Sequence, residues 1–347
     1  MRKDWWKALC VLILLYTIVV GLIVPLKPGI EETLPVSVDA GELLVLSVKG
    51  YNTDFVNAQD QRRAWLKLDD THAVAANQLL TVDERRVRIS FSIPASLPGN
   101  STGQPASLII DDPFHGPMVK PDAVMINNAA AGGSASLWTT SPVSDLHVRG
   151  AFRYPFRPIL YETIRTIYYH VPMWFAMIFM LFASGWHSIR YMRFGQTVND
   201  RWASALATTG TIFGVLGLLT GMLWAKYTWG TAWSWDIKQN VSAITLLIYF
   251  AYFILRKSFD DPERRARTAA VYNVFAAAML IPLLFVIPRL TDSLHPGSGG
   301  NPALGGEDLD NTMRAVFYPA VIGWILAGLW LSQVLYRIRK LEHEVAN

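Results

Sequence analysis

Cysteine is almost absent from the 347 residues: Cys10 is the only one. A single thiol excludes a disulfide framework within the chain. Charge is scarce too. Only 17% of the residues are Asp, Glu, Lys or Arg, against 52% hydrophobic and 12% aromatic. That balance points to a membrane protein and away from a soluble one. The net charge of +4 is too small and too scattered to indicate a nucleic-acid partner, and membrane topology explains the basic residues better.

What the chain has is long apolar runs. Six approach the roughly 20 residues needed to cross a bilayer: Ala8–Leu26, Ile167–Trp186, Ala203–Trp224, Val241–Leu255, Thr268–Ile287 and Ala315–Leu335. Arg2, Lys3 and Lys7 precede the first run, as in a signal peptide, but the run is long and Val-Pro-Leu-Lys-Pro-Gly follows it instead of a small-residue cleavage site. It reads as an uncleaved anchor. Arg190, Arg193 and Arg201 lie between spans two and three. Arg256, Lys257, Arg264, Arg265 and Arg267 lie between four and five, and Arg337, Arg339 and Lys340 follow span six. The positive-inside rule then puts both termini in the cytoplasm. The loop between spans three and four, the long 27–158 segment and the 289–313 loop face outward.

The fourth run is short. Its fifteen residues rise only about 22 Å as a helix, against a hydrocarbon core of about 30 Å. The helix is therefore predicted to start between Asp236 and Asn240, with Asp236 either an N-cap or part of a binding site.

Residues 27–158 read as a polar, β-rich region. Leu43–Val48, Val87–Ile93 and Ser107–Ile110 alternate as strands do, with Val87, Ile89, Phe91 and Ile93 on one face. Pro98-Gly99-Asn100, Asp111-Asp112-Pro113 and Gly132-Gly133 supply turns. A small sandwich or barrel-like domain is expected. His72, His115 and His147 are scattered through it and read as surface residues, not ligands. The predicted organisation is thus 1–26 as the first membrane anchor, 27–158 as the β-rich extracytoplasmic domain and 159–347 as a five-helix membrane domain. The fold class is an all-α polytopic membrane protein of six transmembrane helices with that β-rich domain inserted.

The loop between spans three and four carries the main clue to function. Residues 229–236 read Trp-Gly-Thr-Ala-Trp-Ser-Trp-Asp. One or two tryptophans at a membrane interface are ordinary anchors. Three in eight residues, spaced by Gly230 and Ala232, suit a platform for a large flat ligand. Two histidines are placed at the same membrane face. His170, in Tyr-Tyr-His-Val-Pro, opens span two, where Pro172 suits the first helical turn. His295, in Ser-Leu-His-Pro-Gly, lies just beyond span five. Two neutral imidazoles can ligate a haem iron from opposite faces, and indole rings can cover the porphyrin. Haem carboxylates need cationic partners. Arg165, Arg289, Lys226 and Lys238 lie near, and arginine grips a carboxylate with two parallel hydrogen bonds. The alternative is that these residues anchor spans at the headgroups. No Cys-x-x-Cys-His occurs, so the chain cannot attach haem covalently as a c-type cytochrome does.

These residues resemble a known family. Trp229–Asp236 is similar to the tryptophan-rich WWD segment of the haem-handling proteins of cytochrome c biogenesis. Arg165-Thr-Ile-Tyr-Tyr-His170-Val-Pro172 and Thr291-Asp-Ser-Leu-His295 resemble the two outer histidine segments of the CcmC branch, the haem exporter proteins C. The resemblance covers roughly residues 159–347 and the first span. It implies that His170 and His295 are the axial haem-iron ligands and that Trp229, Trp233, Trp235 and Asp236 hold the ring, with Arg165 and Arg289 as further cofactor-binding candidates. It also implies transient binding of haem b at the outer face of the bacterial inner membrane. Delivery to a periplasmic CcmE-like haem chaperone, in company with a CcmAB-type ABC transporter, would follow without bond-making catalysis. The alternative within the same resemblance is a CcsA-type haem lyase. Proteins of that type usually carry a further histidine pair inside the membrane, and no span here contains one. Residues 27–158 depart from the usual CcmC pattern.

Overall fold

The computed structural model describes residues 4–57, 61–98, 101–127, 138–139, 143–148, 150–295 and 309–346. The turns expected at Gly99-Asn100 and Gly132-Gly133, and Pro296 and Gly297 after His295, lie outside the described residues. The chain divides into two compact units, residues 1–24 with 162–347, and residues 25–161.

The first unit is helical: α1 (Trp5–Ile23), α2 (His170–Phe194), α3 (Thr197–Trp229), α4 (Ile237–Lys257), α5 (Pro262–Leu280) and α6 (Asn311–Ala346). All six helical segments, α2 and α5 with their flanking turns, are long and apolar enough to cross a membrane. The chain is a polytopic membrane protein with a β-rich region. α2 packs on α3, α5 and α6, α1 packs on α6, and α4 packs on α3 and α5.

Sequence sets several of the boundaries. Pro25 forces Val24 into extended backbone (ψ 122). α1 therefore stops three residues before the expected end, and Leu26 is buried in the β-rich unit. α2 and α3 end at Gly195 and Gly230, both left-handed, with φ of 66° and 81°. α4 begins where the short fourth run implied, because Asp236 caps it by accepting from the Lys238 N–H at 2.9 Å.

Glycine governs how closely α2 and α3 approach. Gly210, Gly214, Gly217 and Gly221 form a stripe on α3 that receives Leu181, Met177, Trp174 and His170 of α2. Small residues at helix interfaces are the usual means of bringing membrane helices close.

The second unit holds two sheets. β1 (Gly29–Leu34), β3 (Leu43–Tyr51), β7 (Arg86–Ser92) and β6 (Gln78–Asp83) form one. β2 (Ser37–Asp39), β9 (Gly116–Asn127), β8 (Gly103–Asp112), β4 (Arg63–Lys67) and β5 (Ala73–Ala75) form the other. Among the described strands of the two sheets only β2 and β9 pair in parallel; the isolated Leu26–Tyr154 bridge is parallel as well. Leu44, Leu46, Val87, Ile89 and Phe91 of one sheet share a single core with Leu66, Leu108, Ile110 and Ile126 of the other. The unit is a β-sandwich.

Its histidines are not plain surface residues. Each is half-buried and bonded through Nδ1 to a carboxylate: His72 to Asp69 (2.8 Å), His115 to Asp112 (3.1 Å) and His147 to Asp111 (2.9 Å). Asp111 and Asp112 end β8 fully buried, and Arg63 and Arg62 complete their ion pairs at 2.5 and 2.7 Å.

Candidate functional site

One end of the helical unit holds a cavity of about 220 Å³. Trp174, Phe175, Ile178, Val241 and Leu284 make it apolar, and both His170 and His295 line it. Two imidazoles separated by 125 positions in the chain therefore share one chamber. Lys238 and Arg289 are its cationic lining residues.

His170 is the first residue of α2, on a short 3-10 segment, Tyr161–Tyr168, that leads into the helix. Its ring lies against Gly221, where a Cβ would come within 2.6 Å of Cε1. Its Nδ1 is 3.0 Å from Thr220 Oγ1. The Thr220 hydroxyl donates its own proton back along α3, to the carbonyl of Leu216 at 2.8 Å or Gly217 at 3.0 Å. With its proton so directed, Thr220 accepts from His170; that arrangement puts the imidazole proton on Nδ1 and leaves Nε2 a lone pair.

His295 follows an irregular helix end. Pro282 and Pro288 lack N–H groups, so α5 widens into a π turn over Ile281–Val286, then tightens into a 3-10 turn over Ile287–Arg289. That distortion carries Leu284, Phe285, Pro288 and Arg289 onto the cavity wall. Beyond it, Asp236 collects the chain. Its Oδ2 accepts from Ser293 Oγ (2.9 Å) and the Leu294 N–H (2.7 Å), and its Oδ1 accepts from the Lys238 N–H and from His295 Nδ1 (both 2.9 Å). Burial alone would raise the pKa of this carboxyl. The hydrogen bond from His295, with those from Leu294 and Ser293, holds it well below the usual carboxylate range instead. Asp236 is at once the α4 cap and the hydrogen-bond partner of His295.

The tryptophans divide. Trp229 stands edge-on to His295, and Trp224 lies 5.8 Å from the same imidazole, centroid to centroid. Trp233 and Trp235 pair with each other at 6.1 Å and do not line the cavity. Trp235 adopts a left-handed backbone, φ 58, that turns its indole outward, 78% exposed. Polar groups of the first turn of α4 hold that conformation. Asn240 Nδ2 donates to the Trp235 carbonyl, and Gln239 Oε1 accepts from the Ser234 N–H and hydroxyl.

The cationic candidates divide as well. Arg289 lies on the cavity, its guanidinium donating to the Phe285 carbonyl at 3.0 Å. Arg165 is not a lining residue. It donates to the carbonyls of Gly21 (3.0 Å) and Val24 (2.6 Å) and pairs with Glu162, which fastens the end of α1. Lys226 closes back on the Gly230 carbonyl at 2.9 Å. Sequence reasoning missed Trp224, Thr220 and Gly221. The glycine spacing 210, 214, 217, 221 was the available signal for the last.

Residues 151–347, more than half the chain and including every one of these side chains, match the family model described as "CcmC: Heme exporter protein C". The chain belongs to the heme exporter protein C family. Among its relatives, the heme exporter protein C of Bradyrhizobium diazoefficiens is 29% identical over 213 residues, 60% of this chain and 80% of that protein. The Escherichia coli protein of the same name is 28% identical over 193 residues, 54% of this chain and 74% of its own length. Most of the β-sandwich falls outside the segment that matches the heme exporter protein C family.

Proposed function

We propose that this protein holds haem non-covalently between His170 and His295 at the extracytoplasmic face of the bacterial inner membrane, and passes it to a periplasmic haem chaperone for cytochrome c maturation. The observation that carries this reading is the pair of imidazoles lining one apolar cavity with both Nδ1 atoms engaged. Engagement at Nδ1 fixes the ring and leaves Nε2 as the metal-binding atom.

The residues suit the cargo. Apolar walls receive the porphyrin. Gly221 gives His170 the space that a side chain would fill. Arg289 and Lys238 offer charge to the propionates, and Trp224 and Trp229 brace His295. Arg165 serves by securing α1 beside the segment that leads into His170. Trp233 and Trp235 form the outer rim. When bound, haem supplies only its own iron and ring to be carried; the protein contributes ligation, orientation and exclusion of water. The orientation rests on the clusters of Arg and Lys at the opposite ends of the spans. The family name supports haem as the cargo, and a CcmAB-type ABC transporter and CcmE-like chaperone are the partners proposed.

The test is co-purification with a CcmE-like chaperone, with and without His170→Ala and His295→Ala. Haem-dependent capture that is lost in the double variant is expected. A haem-loaded protein that never engages such a chaperone would point to lyase chemistry instead.

A further inference from the structure

The two imidazoles have unequal partners. His295 Nδ1 meets the Asp236 carboxylate at 2.9 Å, whereas the partners of the His170 imidazole are neutral: the Thr220 hydroxyl, 3.0 Å from Nδ1, and the Gly217 backbone carbonyl. We infer that Asp236 and Thr220 make the ligands non-equivalent: His295 is the firmly donating ligand that retains haem, and His170 is the ligand surrendered to the acceptor. This rests on the two histidines being the ligands.

The argument is electrostatic. A hydrogen bond to a carboxylate pulls the Nδ1 proton away and pushes electron density toward Nε2, which raises ligand basicity. A charge-assisted bond does this about twice as strongly as a neutral one. Asp236 is built for the task. Two backbone N–H groups and the Ser293 hydroxyl fill its remaining acceptor positions, so it cannot rotate away. The Thr220 hydroxyl is already polarised toward the α3 backbone and carries no charge. The surroundings reinforce the difference. Trp224 and Trp229 brace the His295 ring. His170 has an edge-on contact with Trp174 at 6.1 Å and a face against Gly221, which offers no side chain.

Asp236 and Thr220 are positioning residues, so the test must read more than haem content. Asp236→Asn is the informative change, because Asn caps a helix as well as Asp does and α4 should still start in place. In the haem-loaded full-length protein, Asp236→Asn should raise the reduction potential and weaken haem affinity about 10- to 100-fold. Thr220→Val should change both far less. Ser293→Ala removes a donor that competes for the Asp236 carboxylate, so the pull on His295 Nδ1 should strengthen and the potential should shift in the opposite direction by a smaller amount.

Carbon monoxide added to the reduced protein then reports which imidazole yields. The wild-type adduct should match that of His170→Ala in its C–O stretch and differ from that of His295→Ala. A wild-type adduct matching His295→Ala overturns the inference. So do equal shifts in Asp236→Asn and Thr220→Val, or an unchanged potential in a folded Ser293→Ala protein. If neither histidine substitution alters the spectrum, the ligand assignment itself falls and takes this inference with it. That outcome is distinct from a failure of Asp236→Asn alone.

Discussion

Trp229 meets His295 edge to face, with ring centroids 4.9 Å apart and planes at 78°. The indole packs against the same imidazole that Asp236 holds by a hydrogen bond. Such aromatic pairs are worth about 0.5–1.5 kcal/mol beyond the area they bury. Trp229→Ala should therefore weaken haem retention by roughly 2- to 13-fold, with Trp229→Phe in between. Trp235→Ala, at an outward-turned position, should leave retention near wild type. Haem dissociation into an excess of apomyoglobin measures all three.

Gly221 tests the opposite wall. An added methyl would sit 2.6 Å from the His170 ring and force it to move. Overpacking of this kind costs about 1–3 kcal/mol. Gly221→Ala should lose haem and the absorption spectrum that ligation by His170 gives. Gly185→Ala strains α2 against Ala277 at the same distance, 2.6 Å, and is the control. It should lower thermal stability without selectively altering the spectrum.

Arg165 should behave as a structural residue. Arg165→Gln removes the bonds to the Gly21 and Val24 carbonyls. Faster proteolysis or hydrogen exchange at the end of α1 is expected, with the haem spectrum preserved at full loading. Arg289→Gln should instead weaken haem affinity while leaving α1 protected.

The β-sandwich carries its own pH dependence. Asp111 and Asp112 are buried, which alone would raise their pKa values. Hydrogen bonds from His147 and Arg63 to one, and from His115 and Arg62 to the other, hold both below the ordinary carboxylate range. A depressed carboxyl stabilises the fold above its unfolded pKa, about 4, and that stabilisation is lost as pH falls through the folded value. Hydrogen-exchange protection in β8, taken relative to the intrinsic rate at each pH, should therefore be high at neutral pH and fall below about pH 4. Arg62→Ala leaves Asp112 buried without its charge partner and should cost about 3–5 kcal/mol. Asp112→Asn in the same background should recover part of the loss.

The legible parts of this molecule were those written in local pattern. Apolar runs marked the six spans, and the alternation of Val87, Ile89, Phe91 and Ile93 marked a strand whose inward face is indeed buried. The convergence of His170 and His295 followed from counting spans. The bond from His295 to Asp236 did not, because its ends lie 59 positions apart and an N-cap already accounts for an aspartate at that place. The division among the tryptophans was hidden for a related reason. Spacing cannot reveal that Trp235 takes a positive φ and faces outward, while Trp224, outside the motif, turns in. The sandwich histidines read as surface residues in the sequence; for His147 the carboxylate partner, Asp111, lies 36 positions away and no local pattern reveals it.

The central claim is that two distant imidazoles bind one haem, and the absorption spectrum of the detergent-purified protein tests it most directly. The wild type should show the Soret band of a haem with two histidine ligands, and the His170→Ala, His295→Ala double variant should show none. Full haem occupancy with an unchanged band in that double variant would contradict the account.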